Sequence, residues 1–224
     1  MANYDVVIIG GGAGGLFAAY EFVKRAPNVR VCLLEKGAPL NKRNCPIDGV
    51  KIKNCINCNH CSITTGIGGA GAFSDGKYNI TNNFGGDFHT YVGDEQALDL
   101  MRYVDKVNLE FGGEGAKIYS TVGSDIKRRA LQYDLHMLDA QVRHLGTERN
   151  YYILKNLIEY VENHVEIRYY TEVEDISKNA DEWRVTCKNG DEVDGKYVIV
   201  AAGRSGSKWT SEICNRFGIK NENN

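Results

Sequence analysis

The sequence predicts an α/β fold with a mostly parallel central sheet. A glycine-rich turn lies between an apolar run and a helical stretch, a second apolar run ends in an acidic residue, and a later segment repeats the order helix then strand. Strands that alternate with helical patterns are typical of βαβ units, because parallel strands need a crossover connection. The predicted order is βαβ, cysteine- and glycine-rich loops, a mixed segment, αβ, a hairpin and a final strand.

The opening βαβ unit carries a nucleotide-binding pattern. The apolar run Val6–Ile9 leads directly into Gly10–Gly15, with the sequence GGGAGG. Gly10 permits a sharp turn, Gly12 leaves room for a pyrophosphate against bare backbone, and Gly15 allows the helix to pack closely on the strand. The unpaired N–H groups at the helix start favour phosphate binding. The candidate cofactor contacts here are Gly10, Gly12, Ala13, Gly14 and Gly15.

An acidic residue closes the second apolar run. Glu35 follows Val31–Leu34, twenty residues after Gly15. A carboxylate at this place accepts hydrogen bonds from ribose hydroxyls and repels a 2′-phosphate. Strand, helix and acid together therefore predict a dinucleotide site rather than a merely structural glycine turn.

Two further motifs resemble those of flavoproteins. Glu35-Lys36 resembles the second-strand end of the FAD-binding class that includes glutathione reductase, the aromatic hydroxylases and the fumarate reductase flavoproteins. Gly66–Lys77 (GIGGAGAFSDGK) resembles the signature of a bacterial family usually called FAD-dependent dehydrogenases. Glycines in that loop permit a second close backbone approach to the cofactor. The resemblance implies a Rossmann-like FAD-binding fold and cofactor contacts at Lys36, Gly68, Gly69, Ala70, Gly71, Ser74 and Asp75.

The last part of the chain carries a third resemblance. The segment Tyr197–Gly206 is similar to the apolar strand and Ala-Thr-Gly turn of these flavoproteins, with Ala202 in place of the usual Thr. That substitution leaves the backbone turn intact. Val165–Tyr170 is predicted as the third parallel strand, and the resemblance implies an adenine contact through the backbone of Val173. The other contacts implied at this end are Ala201, Gly203 and Arg204.

A group of cysteines lies between the two glycine-rich loops. Cys55, Cys58 and Cys61 stand at CxxCxxC spacing, and Cys45 precedes them. Such a triplet typically supplies three thiolates to a [4Fe–4S] cluster, with a fourth ligand from elsewhere. Zinc is an alternative, held by the four thiolates or with His60 replacing one of them. A redox dithiol and free thiols without a role also stay open.

The position of the cysteines suggests a mechanism. Residues 41–65, the cysteine-rich loop, join the ribose-binding strand to the second glycine loop, so both ends are expected beside the cofactor. A flavin accepts electrons in pairs, whereas a cluster carries one at a time. The hypothesis is a FAD-dependent oxidoreductase that passes electrons between flavin and an iron–sulfur cluster. The alternatives are an NAD-binding dehydrogenase, a flavin- or NAD-binding sensing module without catalysis of its own, and a flavin–dithiol reductase.

Composition limits the other classes. The 224 residues include 27 basic and 29 acidic side chains, so no basic excess indicates nucleic acid. No signal peptide or membrane span is visible, and a cytoplasmic location is expected. Seven cysteines in a reducing compartment argue against a disulfide framework. The expected partner is a small-molecule or protein electron donor or acceptor.

The predicted organisation is one FAD-binding domain over residues 1–224, with residues 79–146 as a mixed segment and candidate part of a substrate region. The C-terminal part of the usual flavoprotein fold is absent, so a longer polypeptide or a second chain is expected to complete the flavin site. No catalytic residue is assigned. Ser74, Asp75 and Lys77 are expected to contact the cofactor rather than to act in catalysis.

Local patterns give five further predictions. Glu95–Phe111 is predicted as a helix, Asn79–Gly93 as a loop and Leu135–Leu145 as extended chain. Thr147 is predicted as the N-cap of the next helix. Asn189-Gly190 is predicted as the type I′ turn of a hairpin.

Overall fold

The structure is a computed structural model and describes residues 4–221. The strands are β1 (Tyr4–Ile9), β2 (Val31–Leu34), β3 (Lys77–Ile80), β4 (Ile118–Ser120), β5 (Gln141–His144), β6 (Glu166–Arg168), β7 (Val173–Asn179), β8 (Glu182–Cys187) and β9 (Glu192–Val200). The helices are α1 (Ala13–Arg25), α2 (Phe88–Val92), α3 (Asp94–Asn108), α4 (Asp125–Leu131), α5 (Thr147–Glu162) and α6 (Ser207–Arg216). Within this range, no helix has both the length and the apolar character needed to cross a bilayer.

The chain divides into two compact units. The first comprises residues 1–72 and 157–224, and the second comprises residues 73–156. The first unit contains a six-stranded sheet in the order β6-β2-β1-β9-β8-β7. Strands β6, β2, β1 and β9 are parallel, while β8 and β7 continue the sheet antiparallel. This mostly parallel sheet confirms the predicted fold class, and β6 is the predicted third parallel strand.

The apolar runs form strands that are buried on both faces, as parallel strands between helices require. Val7 and Ile9 of β1 belong to the cluster that also holds Ile213 of α6. Ile8 points to the opposite face, where its Cγ2 lies 3.3 Å from the position a Cβ on Gly15 of α1 would take. Helix α1 buries its apolar stripe toward the sheet: Leu16, Ala19, Tyr20 and Val23.

The antiparallel part of the sheet differs in two details from the hairpin and final strand predicted from the sequence. The second hairpin strand and the final apolar strand are one continuous strand, β9. The turn between β8 and β9 is not type I′, because Gly190 has a φ of +87° but Asn189 is not among the residues with positive φ. Asn189 instead accepts a hydrogen bond from the Asp191 N–H at 3.1 Å. A longer turn stabilised by this side chain replaces the expected two-residue turn.

The second unit contains a three-stranded antiparallel sheet in the order β3-β5-β4. Arg143 on β5 forms a two-pronged ion pair with Asp105 on α3, with N–O distances of 2.6 and 2.8 Å, and also donates to the Ala116 carbonyl. Both side chains are about nine-tenths buried, at 11% and 10% exposure. The pair joins α3 to the sheet, and its charges are satisfied by each other, as burial demands.

Several local predictions for the second unit are wrong in detail. The segment Asn79–Gly93 is not simply a loop, because it contains the end of β3 and all of α2. Thr147 is the first residue of α5, so Gly146, with φ +81°, precedes the helix in the cap position. Of the extended segment Leu135–Leu145, only β5 is a strand. The predicted helix Glu95–Phe111 corresponds to α3, which a π-type turn ends over Leu109–Gly113.

The core of the first unit makes a stability prediction. Leu33 in β2 is fully buried, so Leu33→Ala should lower the free energy of unfolding by about 3 kcal/mol, through lost apolar burial and a cavity. Val50, also in the first unit, is 77% exposed, and Val50→Ala should change this free energy by less than about 0.5 kcal/mol. Urea titration followed by tryptophan fluorescence measures the first unit, which holds both Trp183 and Trp209. Equal losses in the two variants would contradict the packing described.

Candidate cofactor site

At the first glycine turn, backbone atoms of neighbouring segments lie too close together to admit a side chain at Gly10 or Gly15. Gly10 has a φ of +100°, and a Cβ there would lie 2.5 Å from the Ala201 carbonyl oxygen. A Cβ on Gly15 would lie 1.9 Å from the Gly10 carbonyl oxygen. The Ala201 N–H donates to the Ile9 carbonyl at 2.8 Å, which fixes the end of β9 beside the turn. The turn, helix α1 and the end of β9 are therefore brought together only because both positions are glycine.

The start of helix α1 faces open space. No atom lies within 4 Å of the place a Cβ on Gly12 would take. Gly12 is the N-cap, and no side chain makes a capping hydrogen bond there. The first N–H groups of the helix, at Ala13 and Gly14, thus belong to a helix start whose dipole and donors favour an anion. This is the geometry expected of a pyrophosphate site.

The second glycine loop packs directly on the first. The Gly68 N–H donates to the Gly11 carbonyl at 2.8 Å, and a Cβ on Gly69 would lie 3.4 Å from the Gly12 Cα. Residues Gly69–Phe73 form a 3₁₀ turn that includes Ala70 and Gly71, and a Cβ on Gly71 would meet no atom within 4 Å. Two stretches of bare backbone consequently border the space in front of the helix.

Glu35 is placed at this turn, but with partners the sequence did not reveal. Its side chain accepts hydrogen bonds from the Gly11 N–H and the Gly37 N–H, both at 2.7 Å, and the residue is 5% exposed. A carboxylate has about four lone-pair sites, so two bonds to backbone leave acceptor capacity for ribose hydroxyls. Glu35 therefore stabilises the backbone at Gly11 and at Gly37, and its contact with the ribose stays a prediction.

A cavity of about 220 Å³ lies at the carboxyl ends of β1 and β2. Ligands of open α/β sheets bind at this edge, at the point where the connections that leave neighbouring strands turn to opposite faces of the sheet. Val173 and Lys36, both predicted from the sequence, line it together with Gly10 and Ala202. The lining residues that the sequence did not indicate include Thr171, Glu172, Lys188, Ser205 and Trp209.

Glu172 connects this cavity to the cysteine-rich loop. Lys188 Nζ donates to its carboxylate at 2.9 Å, and His60 Nε2 lies 3.5 Å from its other oxygen. Burial opposes ionisation of Glu172, but the hydrogen bond from Lys188 and the nearby positive charges together outweigh burial and lower the pKa of the carboxyl. The wall of the cavity therefore carries an ionised acid with a lysine partner. Glu172 precedes the predicted contact Val173, and this adjacency is its only sequence signal.

Other predicted contacts do not line this cavity. Gly203 and Arg204 line a neighbouring cavity of about 960 Å³ together with Ala201 and with Ala202, which lines both cavities. Ser74 and Asp75 belong to the second unit. There, Ser74 Oγ accepts from the Gly76 N–H at 3.2 Å, and Asp75 pairs with Lys77 at 2.8 Å, which lowers the pKa of Asp75. Both side chains thus have partners within their own unit.

The four predicted thiol ligands line one cavity, of about 220 Å³. All four are free cysteines: Cys45, Cys55, Cys58 and Cys61. In residues 4–221, however, no three His, Cys, Asp or Glu side chains are arranged to hold a metal ion. The structure brings the thiols to one place without completing a metal site. Backbone N–H groups of Ile63 and Thr64 bond the Cys61 sulfur and lower the pKa of this thiol.

Arg43, which the sequence did not single out, anchors the cysteine-rich loop. The residue is 5% exposed. Its guanidinium donates to the carbonyls of Ser62, Ile63 and Ile67, at 3.0, 2.9 and 2.6 Å. Because Ile67 belongs to the second glycine loop, one buried cation fixes the end of the cysteine-rich loop to the loop that borders the cofactor space.

Comparison with known proteins agrees with this geometry. Residues 101–216, just over half of the chain, match the family described as flavin containing amine oxidoreductase. The chain belongs to this family. Residues 8–61 also match the NAD(P)-binding Rossmann-like domain. Family membership confirms the expected flavoprotein class and supports FAD as its cofactor. It does not single out the bacterial FAD-dependent dehydrogenases, and neither description mentions a metal.

Two solved structures show the same fold. Glycine oxidase from Geobacillus kaustophilus is 17% identical with a TM-score of 0.52, and the match covers 98% of this chain and 60% of that protein. NikD, an amino acid oxidase essential for nikkomycin biosynthesis, is 14% identical with a TM-score of 0.50, covering 96% and 54%. This family member thus spans little more than half the length of either protein. No curated protein sequence matches the chain.

The glycine turn yields a prediction that separates binding from folding. Gly12→Ala should fold normally, since its methyl group meets no protein atom, but should weaken FAD binding about tenfold or more, or about 1.4 kcal/mol. Gly15→Ala should instead lower the free energy of unfolding by about 2–3 kcal/mol, because its methyl group overlaps the Gly10 carbonyl. Flavin fluorescence titration and urea titration measure the two effects. Unchanged FAD affinity in Gly12→Ala would exclude this space as the phosphate site.

The Cys61 thiol yields a pH prediction. A lowered pKa means that the reactive thiolate forms at lower pH than in a free thiol, whose pKa is about 8.5. The rate of Cys61 alkylation by iodoacetamide should therefore rise with a midpoint at lower pH than that of free cysteine measured under the same conditions, as followed by mass spectrometry of the labelled peptide. Cys61→Ser lacks this thiol and is the negative control for labelling of that peptide. A midpoint at or above the free-thiol value would contradict the hydrogen bonding described.

Proposed function

We propose that this chain holds the ADP half of FAD in an oxidoreductase that removes a hydride from a small-molecule substrate. The observation that carries the proposal is the contact between the two glycine loops, Gly68 N–H to Gly11 carbonyl at 2.8 Å, beside the open space at Gly12. The pyrophosphate binds at the start of α1, and the adenosine enters the cavity lined by Val173. FAD supplies a two-electron acceptor when bound.

The residues present fit that cofactor. Bare backbone at Gly12 leaves room for phosphate, and the uncapped helix start supplies donors and positive potential. Glu35 has capacity to accept from the ribose, and its charge disfavours a 2′-phosphate. The motif Gly66–Lys77 supports the finer assignment to a bacterial FAD-dependent dehydrogenase, and the family description supports an amine as the substrate class.

We further propose that the thiols of the cysteine-rich loop hold an iron–sulfur cluster. Its ligands would be Cys45, Cys55, Cys58 and Cys61, which line one cavity. A cluster would supply one-electron transfer to or from the flavin. Support comes from the buried Arg43, which fixes the end of the loop to the second glycine loop. Zinc and a dithiol are the competing occupants.

Other parts of the proposal concern the surroundings of the chain. The matched oxidases are longer than this chain, so we expect further polypeptide, in the same or a second chain, to complete the flavin end of the site. The electron partner is a small molecule or a protein rather than nucleic acid or a membrane, and the proposed location is the cytoplasm.

The test is the absorption spectrum of protein purified without oxygen, recorded before and after dithionite. Flavin bands and a broad visible shoulder that both bleach are expected. Cys55→Ser, Cys58→Ser and Cys61→Ser should each remove the shoulder and keep the flavin bands. Cys214→Ser, on the separate cavity, is the matched control and should keep both.

The other outcomes distinguish the alternatives. Flavin bands alone, with bound zinc or titratable thiols, would replace the cluster by zinc or a dithiol. Protein that binds no flavin from solution would overturn the assignment of a FAD site to this chain.

A further inference from the structure

One aromatic side chain forms part of the wall of the cavity assigned above to adenosine. Trp209, the third residue of helix α6, lines this cavity. Helix α6 is packed on the sheet through Ile213, which is 6% exposed and belongs to the same buried cluster as Val7 and Ile9. Trp209 is partly buried and packs against this cluster as well. The indole ring therefore has one part against the core of the first unit and another part toward the cavity.

The orientation of the indole ring is fixed by its only polar group. The Trp209 Nε1–H donates to the Glu174 carbonyl at 2.8 Å, and Glu174 also lines the cavity. Because Glu174 lies on β7, this hydrogen bond ties the ring of an α6 residue to the edge strand of the sheet. The indole nitrogen is a donor only, with one hydrogen, so the bond uses it completely. What Trp209 offers a ligand in the cavity is consequently the apolar surface of its ring.

The remaining walls of the cavity suit a flat aromatic group. Ile9 and Leu34 line it together with Trp209. The charged side chains of Glu172 and Lys188, joined at 2.9 Å, line it as well. Ligand sites commonly combine such apolar and aromatic walls with a small number of oriented polar groups. Every nucleotide base has an aromatic face that stacks on an indole ring, whatever the hydrogen-bonding pattern of its edge. The cavity thus presents to a base an aromatic ring whose position is fixed before binding.

We propose that Trp209 binds the adenine base of FAD through the surface of its indole ring. The inference rests on the proposed FAD site. It assigns recognition of the base to a side chain of α6, whereas the resemblance to flavoproteins implies only a backbone contact at Val173. Because the indole N–H is already bonded to Glu174, the ring recognises the aromatic face of the base and not its hydrogen-bonding edge.

The first test uses ADP as the probe, because ADP carries the adenine base but no flavin to quench tryptophan emission by energy transfer. The chain has two tryptophans, and Trp183 lies on β8 with its ring centroid 5.1 Å from that of Phe217. In flavin-free Trp183→Phe, all tryptophan emission comes from Trp209, and we expect ADP to change its intensity or wavelength. In Trp209→Phe, the matched control, ADP should leave the emission of Trp183 unchanged. No change at Trp209, at ADP concentrations that calorimetry shows to be saturating, would overturn the proposal.

The second test measures affinity with two substitutions at one position. Trp209→Leu removes the aromatic ring, whereas Trp209→Phe keeps an aromatic ring but removes the hydrogen bond to Glu174. We expect Trp209→Leu to weaken binding of ADP and of FAD about tenfold, or about 1.4 kcal/mol, and Trp209→Phe to weaken it less than about threefold. A purely structural role through the hydrogen bond predicts equal losses in the two variants. Urea titration, followed by the emission of Trp183, checks that both variants are folded.

The outcomes separate this inference from the proposed function. Equal losses in the two variants, or unchanged ADP affinity in Trp209→Leu, would overturn the role of Trp209. If Trp209→Leu does not fold, the emission of Trp209 in Trp183→Phe decides. If FAD and ADP bind and Trp209 affects neither, the proposed function stands and the base rests on other walls of the cavity. If the unsubstituted chain binds neither nucleotide, both proposals fall.

Discussion

Backbone packing at the first glycine turn is the constraint on which the rest of the site depends. The Gly10 carbonyl lies where a side chain on residue 15 would stand, and the Ala201 carbonyl lies where one on residue 10 would stand. These two contacts fix the start of α1 against β1 and the end of β9. The helix start then faces space that no side chain occupies. Its donors and dipole are available to an anion because tertiary contacts satisfy the surrounding backbone.

Two buried charged side chains extend this arrangement to the neighbouring loops. Glu35 accepts from the N–H groups of Gly11 and Gly37, while Arg43 donates to carbonyls on either side of Gly66. Each charge is satisfied by hydrogen bonds to backbone groups of irregular segments, and a backbone group buried without a partner costs about 1–3 kcal/mol. The same charge-assisted hydrogen bonds therefore offset part of the cost of burying these loops and determine their position. The cysteine-rich loop is positioned relative to the cofactor space by this means, and not by regular secondary structure.

The structure adds a contact to what the sequence indicates about the cysteine-rich loop. From the sequence its thiols indicate electron transfer, since the segment joins two cofactor-binding elements. In the structure the loop also contacts the wall of the nucleotide cavity through His60 and Glu172. The loop is therefore held at two places, near its end by Arg43 and within it by His60.

The sequence by itself determined the α/β fold, the glycine turn, the acid at the end of β2 and the cysteine spacing. Each of these follows from residues close together in the chain, through apolar periodicity or the steric freedom of glycine. Local sequence signals gave wrong predictions in two places. Helix α2 spans five residues in a glycine- and asparagine-rich segment that the sequence predicts as a loop. At Asn189-Gly190, a side-chain hydrogen bond stabilises a turn other than the predicted one. Only the tertiary structure decided that His60 meets Glu172, that Arg43 binds the Gly66 region and that the thiols share a cavity without forming a metal site. Such contacts depend on how distant segments pack, and one-dimensional spacing carries no measure of that distance.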